Sequence, residues 1–237
     1  MGYPRPLIQG RLIRRYKRFL ADVLVDATGE TVTAHCPNPG SMLGLARPES
    51  RVFLSRSDNP KRKLAFTLEL VEAGGTLVGV NTGRANRVAE AAIANGLVPA
   101  LAKLGPARRE VRYGDASRVD LLFSDGGRPT YVEVKSVTLS RQPGIAEFPD
   151  SVTARGARHL LELAARVEAG DRAAMLFLVQ RADCTALMLA ADLDPAYAGA
   201  FAIATNRGVE AYAVRCDITS NAITPAEPLP ILPIRMS

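Results

Sequence analysis

The 237-residue chain has no tryptophan, and phenylalanine and tyrosine together supply only 5% of its residues. Proteins that hold single strands by stacking bases on aromatic side chains need more such surface than this. There are three cysteines, Cys36, Cys184 and Cys216, odd in number, far apart and without zinc-ligand spacing. A disulfide framework or a structural zinc site is therefore not expected, and reduced thiols in a cytoplasmic protein are the simplest account. Two histidines, His35 and His159, leave little material for imidazole chemistry. His35 is expected to make a local hydrogen bond, and His159 to lie on a helix surface rather than act as a base. Apolar runs such as Met175-Leu176-Phe177-Leu178-Val179 are too short to cross a bilayer, and the basic N-terminus has no apolar segment of the secretory kind, so no membrane association is expected. There is no Gly-rich phosphate loop and no triad spacing.

What the chain does have is uneven charge. The net charge is +6, and residues 1–84 hold thirteen Lys and Arg against seven Asp and Glu. The whole excess therefore lies in the first third, which suits a module that meets a polyanion. The same stretch reads as short strands at Arg11–Arg15, Phe19–Val25, Thr31–His35, Arg51–Ser55, Phe66–Glu72 and Thr76–Asn81, a spacing that suggests a small barrel. Cys36-Pro37-Asn38-Pro39-Gly40 between them forces a turn, after which Ser41 is expected to cap one helical turn.

From residue 85 the pattern changes. A helix over Ala85–Asn95 precedes strands at Glu110–Tyr113, Val119–Phe123 and Tyr131–Val137, the last two joined by an Asp125-Gly126-Gly127 turn. A long amphipathic helix follows over Ser151–Glu168, capped by Asp150 or Ser151. Its apolar stripe is read as Leu160, Leu161, Ala164 and Val167, and its polar stripe as Arg155, Arg158, His159, Glu162 and Arg166. Ala173–Val179 reads as a buried strand, Pro195–Asn206 as a helix and Val209–Val214 as a final strand. The proline-rich tail from Pro225 is expected to be extended. The fold class is α/β, in its mixed α+β form. Its organisation is a basic barrel over residues 1–84 and a mixed sheet flanked by helices over 85–237.

The chemistry concentrates in Val119-Asp120-Leu121-Leu122-Phe123 and Tyr131-Val132-Glu133-Val134-Lys135-Ser136-Val137. Alternate side chains of a strand share a face, so Glu133 and Lys135 point the same way. If the two strands pair, Asp120 sits beside Glu133. Adjacent carboxylates repel unless a cation joins them, and a lysine alongside can hold a phosphate or a water. A lone Glu-x-Lys is ordinarily a solvated strand face with a weak ion pair. The upstream acid, the hairpin and the following helix favour a Mg²⁺ or Mn²⁺ site instead.

Longer strings carry a resemblance. They are His35-Cys36-Pro37-Asn38-Pro39-Gly40-Ser41-Met42, Ser57-Asp58-Asn59-Pro60-Lys61-Arg62-Lys63, Tyr131 to Leu139, and Phe148-Pro149-Asp150-Ser151-Val152-Thr153-Ala154-Arg155-Gly156. With the opening Leu12 to Val23, the chain resembles the sugar fermentation stimulation protein A family over nearly its whole length. That resemblance implies an N-terminal OB-like barrel, a restriction-endonuclease-like core of the PD-(D/E)xK type, non-specific DNA binding and a role in regulating sugar metabolism. It implies Asp120 as the first acid, Glu133 as the second, Lys135 as the lysine and Glu90 as a helical acid holding a metal-bound water. Pro39 departs from the family's usual Thr or Ser at that place in the turn.

The candidate DNA contacts are Arg14, Arg15, Lys17 and Arg18, the loop residues Lys61, Arg62 and Lys63, and Arg155 and Arg158 on the long helix. For Arg158 the competing partner is Glu162, one helical turn away. Asn38 and Asn81 are candidates for a shared small-ligand site, with turn satisfaction as the competing role. DNA binding without hydrolysis, an active nuclease, and a ligand- or protein-binding regulator all remain open at this point. So does the oligomeric state, a homodimer included.

Overall fold

The structure is a computed structural model that describes residues 1–113, 117–124 and 127–234. Most of the expected linker between the two acid-bearing strands, Asp125 and Gly126, lies outside the described residues.

The first unit is a closed barrel. Strands β1 (Ile8–Tyr16), β2 (Leu20–Val25), β3 (Thr31–His35), β4 (Arg51–Arg56) and β5 (Phe66–Ala73) join in the cyclic order β1-β2-β3-β5-β4, with only the β3–β5 contact parallel. Strand β6 (Thr76–Gly79) extends β5 as a hairpin. Alternation decides which side chains enter: Gly10 and Leu12 of β1 are buried while Arg11 and Ile13 face out, until the register shifts between Leu12 and Arg14 and Arg14 faces out as well. Gly10 sits where β1 pairs with both neighbours, and a Cβ there would stand 2.5 Å from the Leu24 carbonyl oxygen. The barrel core includes Leu12, Val23, Met42, Leu54, Leu68 and Val78.

The second unit begins with a short 3₁₀ turn (Thr82–Arg84) and α1 (Ala85–Ala94). Next come β7 (Ala107–Tyr113), β8 (Ser117–Phe123), β9 (Thr130–Val137), β10 (Leu139–Gln142) and β11 (Gly144–Phe148). Helix α2 (Ala154–Glu168), β12 (Arg172–Val179), β13 (Cys184–Leu189), α3 (Pro195–Asn206), β14 (Glu210–Ile218) and β15 (Ile223–Leu229) complete it. The main sheet runs β15-β14-β12-β9-β8-β7, parallel at its centre and antiparallel at its edges. A second sheet, β10-β11-β13, stands beside it. Strand β12 is buried on both faces. Ala173, Met175, Phe177 and Val179 meet the α2–α3 layer, while Ala174, Leu176 and Leu178 meet the α1 layer. This two-sided burial is why its sequence is almost wholly apolar.

The structure departs from several expectations. Strands β10, β11, β13 and β15 lie where the sequence reading placed none. The first two are short and interrupted by Pro143, and β15 carries Pro225 and Pro228, which an edge strand tolerates because one side needs no N–H donor. Ser41 caps no helix: its hydroxyl donates to the Asp150 carbonyl oxygen at 2.6 Å. The cap of α2 is Thr153, whose side chain accepts from the Gly156 N–H. The buried face of α2 is Gly156, His159, Leu160, Leu163 and Ala164, so Leu161 is exposed and His159 is not.

The two units are clasped together. The Asp150 carboxylate accepts from the Met42 N–H at 2.8 Å, and a Cβ on Gly40 would lie 2.6 Å from it. The Gly79 N–H donates to the Gln180 carbonyl at 3.0 Å. The chain's first residues pair with the second unit, Gly2 bridging to Ala222. Arg84 binds the buried Glu69 through two nitrogens, at 2.6 and 3.1 Å, and stacks on the Tyr3 ring. These contacts fix the width of the cleft between barrel and sheet.

Candidate functional site

That cleft has a volume of about 730 Å³. The barrel contributes Arg18, Asn38, Pro39 and Gly40, the domain junction Thr82 and Gly83, and the second unit Asn86, Glu110, Asp120, Glu133, Lys135, Arg155 and His159.

Strand pairing brings the acids together. The last registered β8–β9 pair is Leu121 with Val132, so Asp120 and Glu133 face each other one step further along. There the ladder is replaced by a side chain: the Val134 N–H donates to Asp120 Oδ2 at 2.7 Å. Asp120 Oδ1 accepts from the Asn86 amide at 3.0 Å. Burial, and after it the charge of Glu133, pushes the Asp120 carboxyl up from its ordinary value to about 6.

Glu133 is only 3% exposed. Its Oε1 receives Lys135 Nζ at 2.7 Å and His159 Nδ1 at 2.5 Å. Burial alone would push the Glu133 carboxyl up, but the His159 hydrogen bond and the Lys135 charge outweigh that and hold it below the ordinary range. Of the two acids, Glu133 keeps its charge and Asp120 takes a proton more readily. His159 Nε2 accepts from Arg155 Nε at 3.3 Å, so the imidazole carries its proton on Nδ1 and donates it to Glu133. Glu133 Oε2 is buried and has no hydrogen-bond partner. An ionised oxygen left so is costly, and a cation is one partner that would satisfy it.

As the side chains stand, no group of three or more His, Cys, Asp or Glu among the described residues forms a ready-made metal cage. N–H groups of Asn86, Val134, Lys135 and His159 occupy three of the four oxygens of Asp120 and Glu133.

Glu90, the helical acid of the sequence reading, does not line the cleft. It pairs with Arg109 of β7, and Asn86, one turn earlier on α1, takes the place beside Asp120. His159 is corrected as well. The sequence placed it on a polar stripe, yet it is 3% exposed and bonded to Glu133. The signal that could have found it is the spacing Gly156, His159, Leu160, Leu163, Ala164, which is the i, i+3, i+4, i+7, i+8 pattern of a buried face.

The basic candidates divide by what they touch. Arg14 is tied to Asp22 at 2.9 Å and covers the Tyr16 ring. Arg15 donates to the carbonyls of Asn38, Gly40 and Ser41, so it braces the proline-rich turn. Lys17 and Arg18 stand exposed on the β1–β2 turn with left-handed backbones, and Arg18 reaches the cleft. Lys61, Arg62 and Lys63 lie on the exposed β4–β5 loop, where Arg62 donates to Thr67 at 3.0 Å. Arg155 is exposed at the cleft, and Arg158 lies 3.7 Å from Glu162 and outside the lining. Asn38 is buried, and its side chain accepts from the Gly40 N–H, while Asn81 donates to Glu69.

Two family models match this chain, the SfsA N-terminal OB domain over residues 13–80 and the sugar fermentation stimulation protein RE domain over residues 83–222. The chain belongs to the sugar fermentation stimulation protein family. Relatives described as sugar fermentation stimulation protein homologs, from Brucella ovis and Brucella canis, are each 59% identical over 236 residues, covering 99% of both chains. The solved structure of Pyrococcus furiosus SfsA in complex with Ca²⁺ is 25% identical, with a TM-score of 0.87 over 98% of both chains. The family's OB barrel is the closed barrel of β1–β5. Among the described residues, no helix is long and apolar enough to cross a membrane.

Proposed function

We propose that the protein binds DNA with little regard to sequence and holds a divalent cation where the DNA backbone crosses the cleft. The observation that carries this reading is the convergence of Asp120, Glu133 and Lys135 in one cleft whose Glu133 Oε2 is buried without a partner. The donor set fits a hard cation: carboxylate oxygens, with the Val134 carbonyl at hand. The related P. furiosus protein was solved with Ca²⁺, which is consistent with such a site. Mg²⁺ or Mn²⁺ is the ion proposed here.

Asp120 and Glu133 would hold that ion, and Lys135 would orient a phosphate oxygen or a water. A bound ion would supply an acidified water and offset phosphate charge. His159 acts as a positioning residue, turning Glu133 so that Oε1 stays in the protein and Oε2 remains for the ion. Arg18 and Arg155, one from each unit, would take phosphates at either side of the cleft. An effect on sugar fermentation, the process in the family's name, would be exercised through this binding.

The test has two arms. DNA affinity measured against salt should fall steeply, as counterion release requires. Salt-independent binding, or none, would remove the DNA reading. Plasmid, single-stranded DNA and RNA incubated with Mg²⁺ or Mn²⁺ then ask for hydrolysis. Cleavage that is lost in Glu133→Gln and Lys135→Ala makes the protein a nuclease. Cleavage that survives both belongs to another site or a contaminant.

A further inference from the structure

Glu110 lies on β7 between Arg109, paired with Leu121, and Val111, paired with Val119. It therefore stands across from Asp120, as Asp120 stands across from Glu133. Three acids thus occupy one row over three adjacent strands, and all three line the cleft.

Glu110 has a left-handed backbone, with φ +53°. Among residues with a side chain this conformation is uncommon, and inside a strand it is strained. Its effect can be read from the neighbours. Consecutive side chains of a regular strand point to opposite faces. Here Arg109 bonds Glu90 and Glu110 bonds Asn86, so two consecutive residues of β7 both reach α1. At this kink the Glu110 carboxylate meets the Asn86 amide of α1, which also serves Asp120. One amide nitrogen, Asn86 Nδ2, then serves Glu110 Oε1 and Asp120 Oδ1 together, each at 3.0 Å. A single positively polarised group joining two carboxylates stands where a cation can stand. The independent sign that a cation is wanted comes from Glu133, whose Oε2 is buried in the same cleft with no partner.

We propose that Glu110 is the third carboxylate of the cation site, replacing the Asn86 amide at Asp120 when the ion enters. This rests on the reading of the cleft as a divalent-cation site and adds to it a residue outside the two motif strands. It also explains why α1 offers an amide rather than an acid at this point. The third acid comes from β7, and Asn86 holds it in place until the ion takes over.

The experiment uses the full chain and Ca²⁺ as the probe, followed by calorimetric titration and by the shift in Tm at saturating Ca²⁺. Wild type should bind, and Asp120→Asn and Glu133→Gln should lose binding. Glu110→Gln and Glu110→Gly should bind at least about tenfold more weakly, the size seen when a partner of a metal site is removed. Glu90→Gln, whose partner is Arg109, should bind as wild type does. Glu110→Gly separates ligation from architecture, because glycine accepts the left-handed backbone freely. Its Tm without Ca²⁺ should be no lower than wild type, while its Ca²⁺-induced shift should shrink. Binding by both Glu110 variants within about twofold of wild type, with Asp120→Asn inactive, would overturn the role of Glu110 and leave the cation site standing. No Ca²⁺ binding by wild type would instead remove the reading beneath it.

Discussion

Replacing Asp120 by asparagine should stabilise the metal-free protein near neutral pH. The folded protein raises this carboxyl from 3.8 to about 6, so it holds the proton more tightly than the unfolded chain does. Below pH 3.8 both states are protonated and nothing is lost. As the pH rises toward 6 the unfolded chain releases its proton first, and stability falls; above 6 the full penalty remains. At about 1.4 kcal/mol for each tenfold in proton affinity, the cost is about 3 kcal/mol. Asparagine removes the charge but has one oxygen where two are used, by Val134 and by Asn86. Losing one of those bonds costs about 1 kcal/mol. The net gain at pH 8 is then about 2 kcal/mol, or about 4–8 °C in Tm for a chain of this size. At pH 4 the gain should vanish and reverse slightly. Thermal unfolding in chelator at pH 4 and pH 8 measures both numbers. A variant less stable than wild type at pH 8, or a difference that ignores pH, would refute the reasoning.

Three further outcomes are expected. His159→Leu leaves Glu133 with Lys135 alone on Oε1 and should cost about 2 kcal/mol in urea unfolding; stability equal to wild type would mean the imidazole does not hold that carboxylate. Arg18→Ala and Arg155→Ala should each lower the slope of log affinity for DNA against log salt by about one, and unchanged slopes would place the phosphates elsewhere. Gly10→Ala should destabilise the barrel by about 2 kcal/mol, because the new methyl meets the Leu24 carbonyl and the Val23 side chain; a cost under about 0.5 kcal/mol would show that β1 can move away from β2.

Much of this architecture is legible in the residues, for reasons that differ by element. The barrel strands announce themselves through β-branched runs between turn residues, and β12 through burial on both faces. Strand β15 hides because prolines are read as breakers, although an edge strand has N–H groups to spare. The pairing of Asp120 with Glu133 follows from alternation and register, which are local rules. Glu110 and Asn86 do not, since nothing in Arg109-Glu110-Val111 signals a left-handed backbone. His159 looks like a surface residue by its polarity, but the buried spacing of α2 points it at the sheet. Arg15 reads as a DNA contact from its charge alone, while the three backbone carbonyls it binds show only in the folded chain.

The central proposal is that the cleft acids share a divalent ion. Anomalous scattering from Mn²⁺-soaked crystals tests that most directly. A peak within direct coordination distance of both Asp120 and Glu133 Oε2 is the expected result. An intact, saturated crystal with its Mn²⁺ bound only elsewhere, or with none bound, would contradict it.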